Sequence, residues 1–112
     1  MEVIYINDTY TTPVLAFYAK YGIKRPALNK VLTIREIIKP SGKEGHGILL
    51  QEVINPKVEI VHPILQQKVM IEPNFNINRF TDLQGNVLTK KMIEEYDKER
   101  EAISRAYGSY GA

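Results

Sequence analysis

Two apolar runs dominate the hydrophobic pattern: Val31-Leu32-Thr33-Ile34-Arg35-Glu36-Ile37-Ile38 and Ile48-Leu49-Leu50-Gln51-Glu52-Val53-Ile54. The Gly-rich stretch Pro40-Ser41-Gly42-Lys43-Glu44-Gly45-His46-Gly47 joins them. Both runs are β-branched and partly alternating, so they predict an antiparallel hairpin at the centre of a small β domain. Val3-Ile4-Tyr5-Ile6 reads as a first strand, ended by the turn formers Asn7-Asp8. Residues 9 to 29 mix Pro13, Gly22 and Pro26 with Phe17, Tyr18 and Tyr21, which predicts an extended, partly packed loop with room for a turn or two of helix over Val14 to Tyr21. Asn55-Pro56 ends the second hairpin strand. Residues 57 to 73 hold Val58, Ile60, Val61, Ile64, Leu65, Val69, Met70 and Ile71 between breaks at Pro63 and Pro73. They fit one or two short edge strands or a second excursion, because sheets tolerate proline only at edges and bulges. Phe75-Asn76-Ile77-Asn78-Arg79-Phe80 alternates with period two and reads as a closing strand, followed by a turn over Asp82 to Asn86 with Gly85 at its tip.

The last element is a helix over residues 90 to 107. Met92, Tyr96, Ile103 and Tyr107 recur at steps of four, seven and four with Arg100 in the gap, and Thr89 is a suitable N-cap. Glu94 with Lys98 and Glu101 with Arg105 stand four apart in the supporting orientation, and Gly108 supplies the stop. One apolar stripe means one buried face, against either the chain's own sheet or a second copy. Five short strands with long loops predict a mainly β fold, a small SH3-like barrel with a C-terminal helix, since a sandwich needs about seven strands. The expected organisation is a barrel over residues 1 to 87, the amphipathic helix over 88 to 107 and a flexible tail over 108 to 112. Leu32, Ile34, Ile37, Leu49, Val53, Phe75 and Phe80 are expected to supply much of the core.

Leu32-Thr33-Ile34-Arg35-Glu36-Ile37, a Gly-bearing turn, Gly47-Ile48-Leu49-Leu50-Gln51-Glu52-Val53, then Glu72-Pro73-Asn74-Phe75 and Arg79-Phe80, resemble a family of small uncharacterised bacteriophage and prophage proteins. The shared pattern covers residues 30 to 86. The resemblance implies an SH3-like barrel and a phage origin, and carries no site residues.

A chain of 112 residues suits one domain with an ordinary core. Without cysteine, disulfides, thiolate catalysis and Cys-based zinc sites are excluded. Glu2 stands where a signal peptide needs positive charge, and no apolar run approaches the ~18 residues of a membrane span. The expectation is a cytoplasmic protein, in the host cell cytoplasm if phage-encoded, with no membrane partner. Asn7-Asp8-Thr9 then matches the glycosylation sequon by chance.

Charge is distributed unevenly. Residues 20 to 43 carry seven cations, Lys20, Lys24, Arg25, Lys30, Arg35, Lys39 and Lys43, against Glu36 alone, a local charge of +6 in a chain of net +2. A positive segment of that kind favours an anionic partner. Tyr18 and Tyr21 are interleaved with Lys20, Lys24 and Arg25, an arrangement that can stack on bases and neutralise phosphates. The same composition suits a loop whose tyrosines cover the barrel while its lysines stay wet. An aromatic, basic loop after the first strand of an SH3-like domain would also suit an acidic peptide.

Other chemistry finds no support. Gly42, Gly45 and Gly47 beside Lys43 lie between strands, whereas a phosphate loop opens a helix. His46 and His62 share no spacing with acidic residues, so no metal is expected. Ser41, Ser104 and Ser109 make no triad, and Glu94, Glu95, Glu99 and Glu101 alternate with cations as a solvated face does. No catalytic residue and no cofactor are expected. The sequence therefore supports a non-enzymatic binding protein for nucleic acid or a nucleotide, with Tyr18, Lys20, Tyr21, Lys24, Arg25, Lys39 and Lys43 as ligand-binding residues. The alternative is a protein-interaction or virion-assembly component that uses a sheet edge or the C-terminal helix, the latter also a route to a homodimer.

Overall fold

The computed structural model describes residues 1–40, 45–62 and 64–108, with their side chains through residue 102. In chain order the elements are β1 (Glu2–Tyr5), α1 (Thr12–Tyr21), β2 (Val31–Ile38), β3 (Gly47–Leu50), β4 (Val58–Val61), β5 (Lys68–Ile71), β6 (Phe75–Asn76), a 3-10 turn (Ile77–Arg79), β7 (Phe80–Thr81) and α2 (Lys90–Gly108). The protein is mainly β, with two antiparallel sheets and a C-terminal helix.

The hairpin predicted from the two apolar runs is the centre of the larger sheet. Ile38 pairs with Gly47, Ile37 with Ile48, Glu36 with Leu49 and Ile34 with Leu50. The register shifts between Ile34 and Glu36, so Arg35 is bulged there and the strand bends. Beyond the bulge β2 changes partner, and Val31, Leu32 and Thr33 pair with Ile4, Val3 and Glu2 of β1. The full strand order is β6-β3-β2-β1-β7.

That order forces curvature. Laid flat, the outer strands of five would stand about 19 Å apart at the usual spacing. Here the two outer strands are β6 and β7, joined by the three residues of the 3-10 turn, each of which advances only about 2 Å. The sheet must therefore bend its edges towards each other. β6 and β7 do not pair, however, so among the described residues the sheet is an open one rather than the closed barrel expected from the sequence.

The concave sheet and α2 enclose one apolar core. Val3, Tyr5, Leu32, Ile34, Ile48, Leu50, Phe75, Ile77, Phe80, Leu88 and Ile93 form it. Of the residues expected there, Leu32, Ile34, Phe75 and Phe80 are in the cluster and Ile37 packs beside it, while Val53 is half-buried outside it. Leu49 is buried but lies outside the cluster, because on β3 its neighbours Ile48 and Leu50 take the inner face. Ile93 is fully buried, and Met92 and Tyr96 flank it against the core. Thr89 caps α2 as expected, its Oγ1 accepting from the Met92 N–H at 3.3 Å. Glu94 pairs with Lys90 at 3.8 Å rather than with Lys98. The side chains of Ile103 and Tyr107, and the tail from residue 109, lie outside the described residues.

Three local expectations are corrected. Residues 12 to 21 form a full helix, not an extended loop. Pro13 sits in the first turn, where its missing N–H has no partner to lose, and Gly22 stops the helix in the left-handed conformation at φ 67°. The two supposed breakers are thus its boundaries. The second hairpin strand ends at Leu50 instead of Ile54: the Gln51 N–H donates to the Thr33 carbonyl at 2.9 Å, and the Glu52 carboxylate takes the Thr33 N–H at 2.6 Å. The closing strand is split, because Asn76 Oδ1 accepts from the Asn78 N–H at 3.0 Å and turns the chain into the 3-10 segment.

Residues 57 to 73 form the second sheet, a two-stranded hairpin. Val58 pairs with Ile71 and Ile60 with Val69 on one face, and Glu59 pairs with Met70 and Val61 with Lys68 on the other. On the outer face Val61 and Met70 are exposed beside Glu59 and Lys68, and near the tip Ile64 is 70 % exposed.

Candidate ligand groove

The inner face of the β4–β5 hairpin is one wall of a groove of about 630 Å³. Ile60, Val69 and Ile71 line that wall, with His62 near the tip. Tyr10, Val14 and Tyr18, from the segment between β1 and the end of α1, line the opposite one. Asn74, Phe75, Asn76 and Arg79 form the floor, and Ile38, Lys39, Pro40, Gly45 and Gly47 close one end. Gly47 is required here, since a Cβ would run into the side chain of Asn74.

A polar network holds the tyrosine wall. The Tyr5 side chain is fully buried, and its hydroxyl donates to Asp8 Oδ1 at 2.8 Å and meets the Tyr10 hydroxyl at 2.6 Å. Burial, with these bonds, raises the Tyr5 phenol far above the ordinary tyrosine range; burial also raises Tyr10. Arg79 lies over the Tyr10 ring, 3.7 Å from its centroid, and its Nη1 donates to the carbonyls of Thr9 at 2.7 Å and Asn7 at 3.2 Å. Arg79 thereby ties the loop before α1 to the 3-10 turn while facing the groove.

The seven residues expected to bind an anion are brought together only in part: Tyr18, Lys24 and Arg25 share one concavity, while Tyr18 and Lys39 line the groove. Tyr18 lines the groove, but it is a packing residue: its ring stands 5.3 Å from Tyr10 and 6.5 Å from Phe75, and burial pushes its phenol up to about 12. Lys39 lines the groove's end. Lys20 and Tyr21 are exposed on α1, with the Tyr21 ring 4.8 Å from Phe17 and the Lys20 ammonium 5.2 Å from Tyr21. Tyr18, Lys24 and Arg25 line a shallow concavity with Leu15 and Gly22. Asn55 fixes the backbone of Lys24, accepting from its N–H at 2.7 Å and donating to its carbonyl at 2.9 Å. Lys43 lies outside the described residues.

Nor does the +6 segment act as one field. Arg25 meets Asp8 at 3.1 Å, Arg35 meets Glu72 at 2.6 Å and Lys39 stands 3.8 Å from Asp97. Arg35 also donates through Nε to the Leu50 carbonyl at 3.0 Å, so the bulge residue serves the sheet. The acids that offset these cations come from distant parts of the chain. Sequence spacing likewise gave no signal for Tyr10, Arg79, Asn74 or the hairpin wall, which meet only through the sheet order.

The groove offers an aromatic and aliphatic bed, side-chain amides and two cations. Among the described residues none of its lining is a carboxylate. Among the described residues no three His, Cys, Asp or Glu side chains are grouped to hold a metal ion, and no helix is long and apolar enough to cross a membrane. No protein-family model matches the chain, and neither a curated protein nor a solved structure matches it.

Proposed function

We propose that the protein is a non-enzymatic binding module of SH3-like build whose groove takes an extended, acidic segment of a partner protein. The observation that carries this reading is the groove itself, lined by the rings of Tyr10, Tyr18 and Phe75, by the apolar hairpin residues Ile60, Val69 and Ile71, and by the cations Lys39 and Arg79. Such a bed suits a backbone in extended form with an apolar side chain against the rings and a carboxylate at the cations. The SH3-like reading is supported by the strand order and by the single 3-10 turn that links the outer strands. The phage resemblance would make the partner a protein of the virion or of the host, met in the host cytoplasm. Nucleic acid is the weaker ligand, because Arg25 and Arg35 of the basic segment already face carboxylates at 3.1 and 2.6 Å.

The test is a selection on the immobilised chain from a displayed library of random peptides about twelve residues long, with single-stranded oligo-dT titrated in parallel. Selected sequences should share an acidic residue next to aliphatic or aromatic ones, and Arg79→Gln should weaken them about tenfold. Failure to select any peptide, with oligo-dT binding in a salt-dependent way, would establish the nucleic-acid reading instead.

A further inference from the structure

His46, the residue before β3, lines a second cavity. Its side chain is 6 % exposed and has no hydrogen-bond partner among the described residues, whereas the buried Asn55 and Thr81 side chains are both bonded. No fully enclosed side-chain nitrogen or oxygen lacks a partner among the described residues, so the imidazole nitrogens reach open space. That space is a cleft of about 440 Å³ between the end of β2 and α2. A buried imidazole offers one donor and one acceptor, and here both are unused.

The remaining lining restricts what can fill it. Ile37 and Ile93 provide an apolar floor. Around it Lys39 stands 3.8 Å from Asp97 and Lys90 3.8 Å from Glu94, both loose pairs with their lysines about three-quarters exposed, at 70 % and 74 %. Among the described residues Lys98 and Glu101 add one further charge of each sign to the rim. A polyanion would meet three carboxylates, and no three-ligand metal group is present among the described residues. The volume lies within the range of small-molecule sites.

We propose that this cleft binds a small zwitterion with an apolar body, of the class of the apolar α-amino acids. The ammonium group lies towards Asp97 and Glu94, the carboxylate towards Lys39 and Lys98, and the apolar side chain rests on Ile37 and Ile93. His46 donates to the carboxylate or accepts from the ammonium. Exposed ion pairs as long as these open at little cost, so the rim can exchange its internal partners for those of the ligand. Lys39 and Pro40 border both cavities, but His46, Ile93 and the α2 side chains line the cleft alone, so the proposal does not rest on the groove reading.

L-Leucine titrated into the isotope-labelled chain to about 20 mM tests this, because a ligand of so few atoms is expected to bind in the millimolar range. The readouts are the His46 imidazole nitrogens and the Ile93 methyl groups. Saturable shifts at both are expected, with N-acetyl-leucine and leucinamide, which each lack one charge, binding about tenfold more weakly. His46→Phe should weaken L-leucine by a similar factor, and Asp97→Asn, a half-buried helix position, provides the same check if the first variant folds poorly. Absence of saturation at His46, equal binding of either single-charge analogue, or shifts confined to the groove would overturn the proposal.

Discussion

Replacing Asn55 by alanine should unlatch the chain between α1 and the hairpin wall. Asn55 is 5 % exposed and its amide bonds both backbone groups of Lys24, at 2.7 and 2.9 Å, in the manner of a strand pair. Each such bond contributes about 0.5–1.5 kcal/mol net, so removing both costs about 1–3 kcal/mol. Lys24 is itself exposed, and water can take over its freed groups. The expected loss is therefore in the lower part of that range, about 1–2 kcal/mol. For a domain of this size that lowers the melting temperature by about 3–12 °C. The backbone N–H of Asn55, 3.3 Å from Glu72, is retained in the variant. Urea unfolding followed by circular dichroism gives the loss, which should appear as a lower midpoint with unchanged slope. Amide exchange should speed up at residues 23 to 25 ahead of the core. A loss below about 0.5 kcal/mol would show that the two bonds carry no net weight, and would refute the reasoning.

Three other outcomes follow from the same geometry. Ile93→Ala, at a fully buried position that docks α2, should cost about 2–5 kcal/mol in the same unfolding measurement. Gly47→Ala forces Asn74 to move and should cost about 1–3 kcal/mol while altering the groove floor, so peptide binding should fall more than in a surface Gly85→Ala control. The folded-state pKa of Tyr18, about 12, lies above the ordinary 10, so its contribution to stability is intact below pH 10 and is lost as pH rises towards 12. Alkaline unfolding monitored between those limits should flatten in Tyr18→Phe.

The central hairpin was legible because its residues carry the signal locally: β-branched runs of period two on either side of a glycine-rich turn. The C-terminal helix was legible for the same reason, with the Thr89 cap and the Met92 and Tyr96 positions of the stripe in order. α1 was not, since Pro13 and Gly22 disfavour helix as interior residues and favour it as termini, and only their final positions decide between the two. The 3-10 turn inside the last alternating run depends on an asparagine side chain bonding two residues ahead, which competes with strand pairing without disturbing the pattern. The candidate site was the least legible part. Arg25, Arg35 and Lys39 look like a common basic surface until Asp8, Glu72 and Asp97 fold against them. The residues that do converge, Tyr10, Val69, Phe75 and Arg79, belong to four different elements or loops and share no spacing.

The most direct test of the groove as a protein-segment site is a chemical-shift map of the isotope-labelled chain with one display-selected acidic peptide. The account predicts perturbations concentrated at Tyr10, Val14, Val69, Phe75 and Arg79, with Lys20 and Tyr21 unmoved. Perturbations centred on Lys20, Tyr21 and Lys24, or on the outer hairpin residues Val61 and Met70, would contradict it.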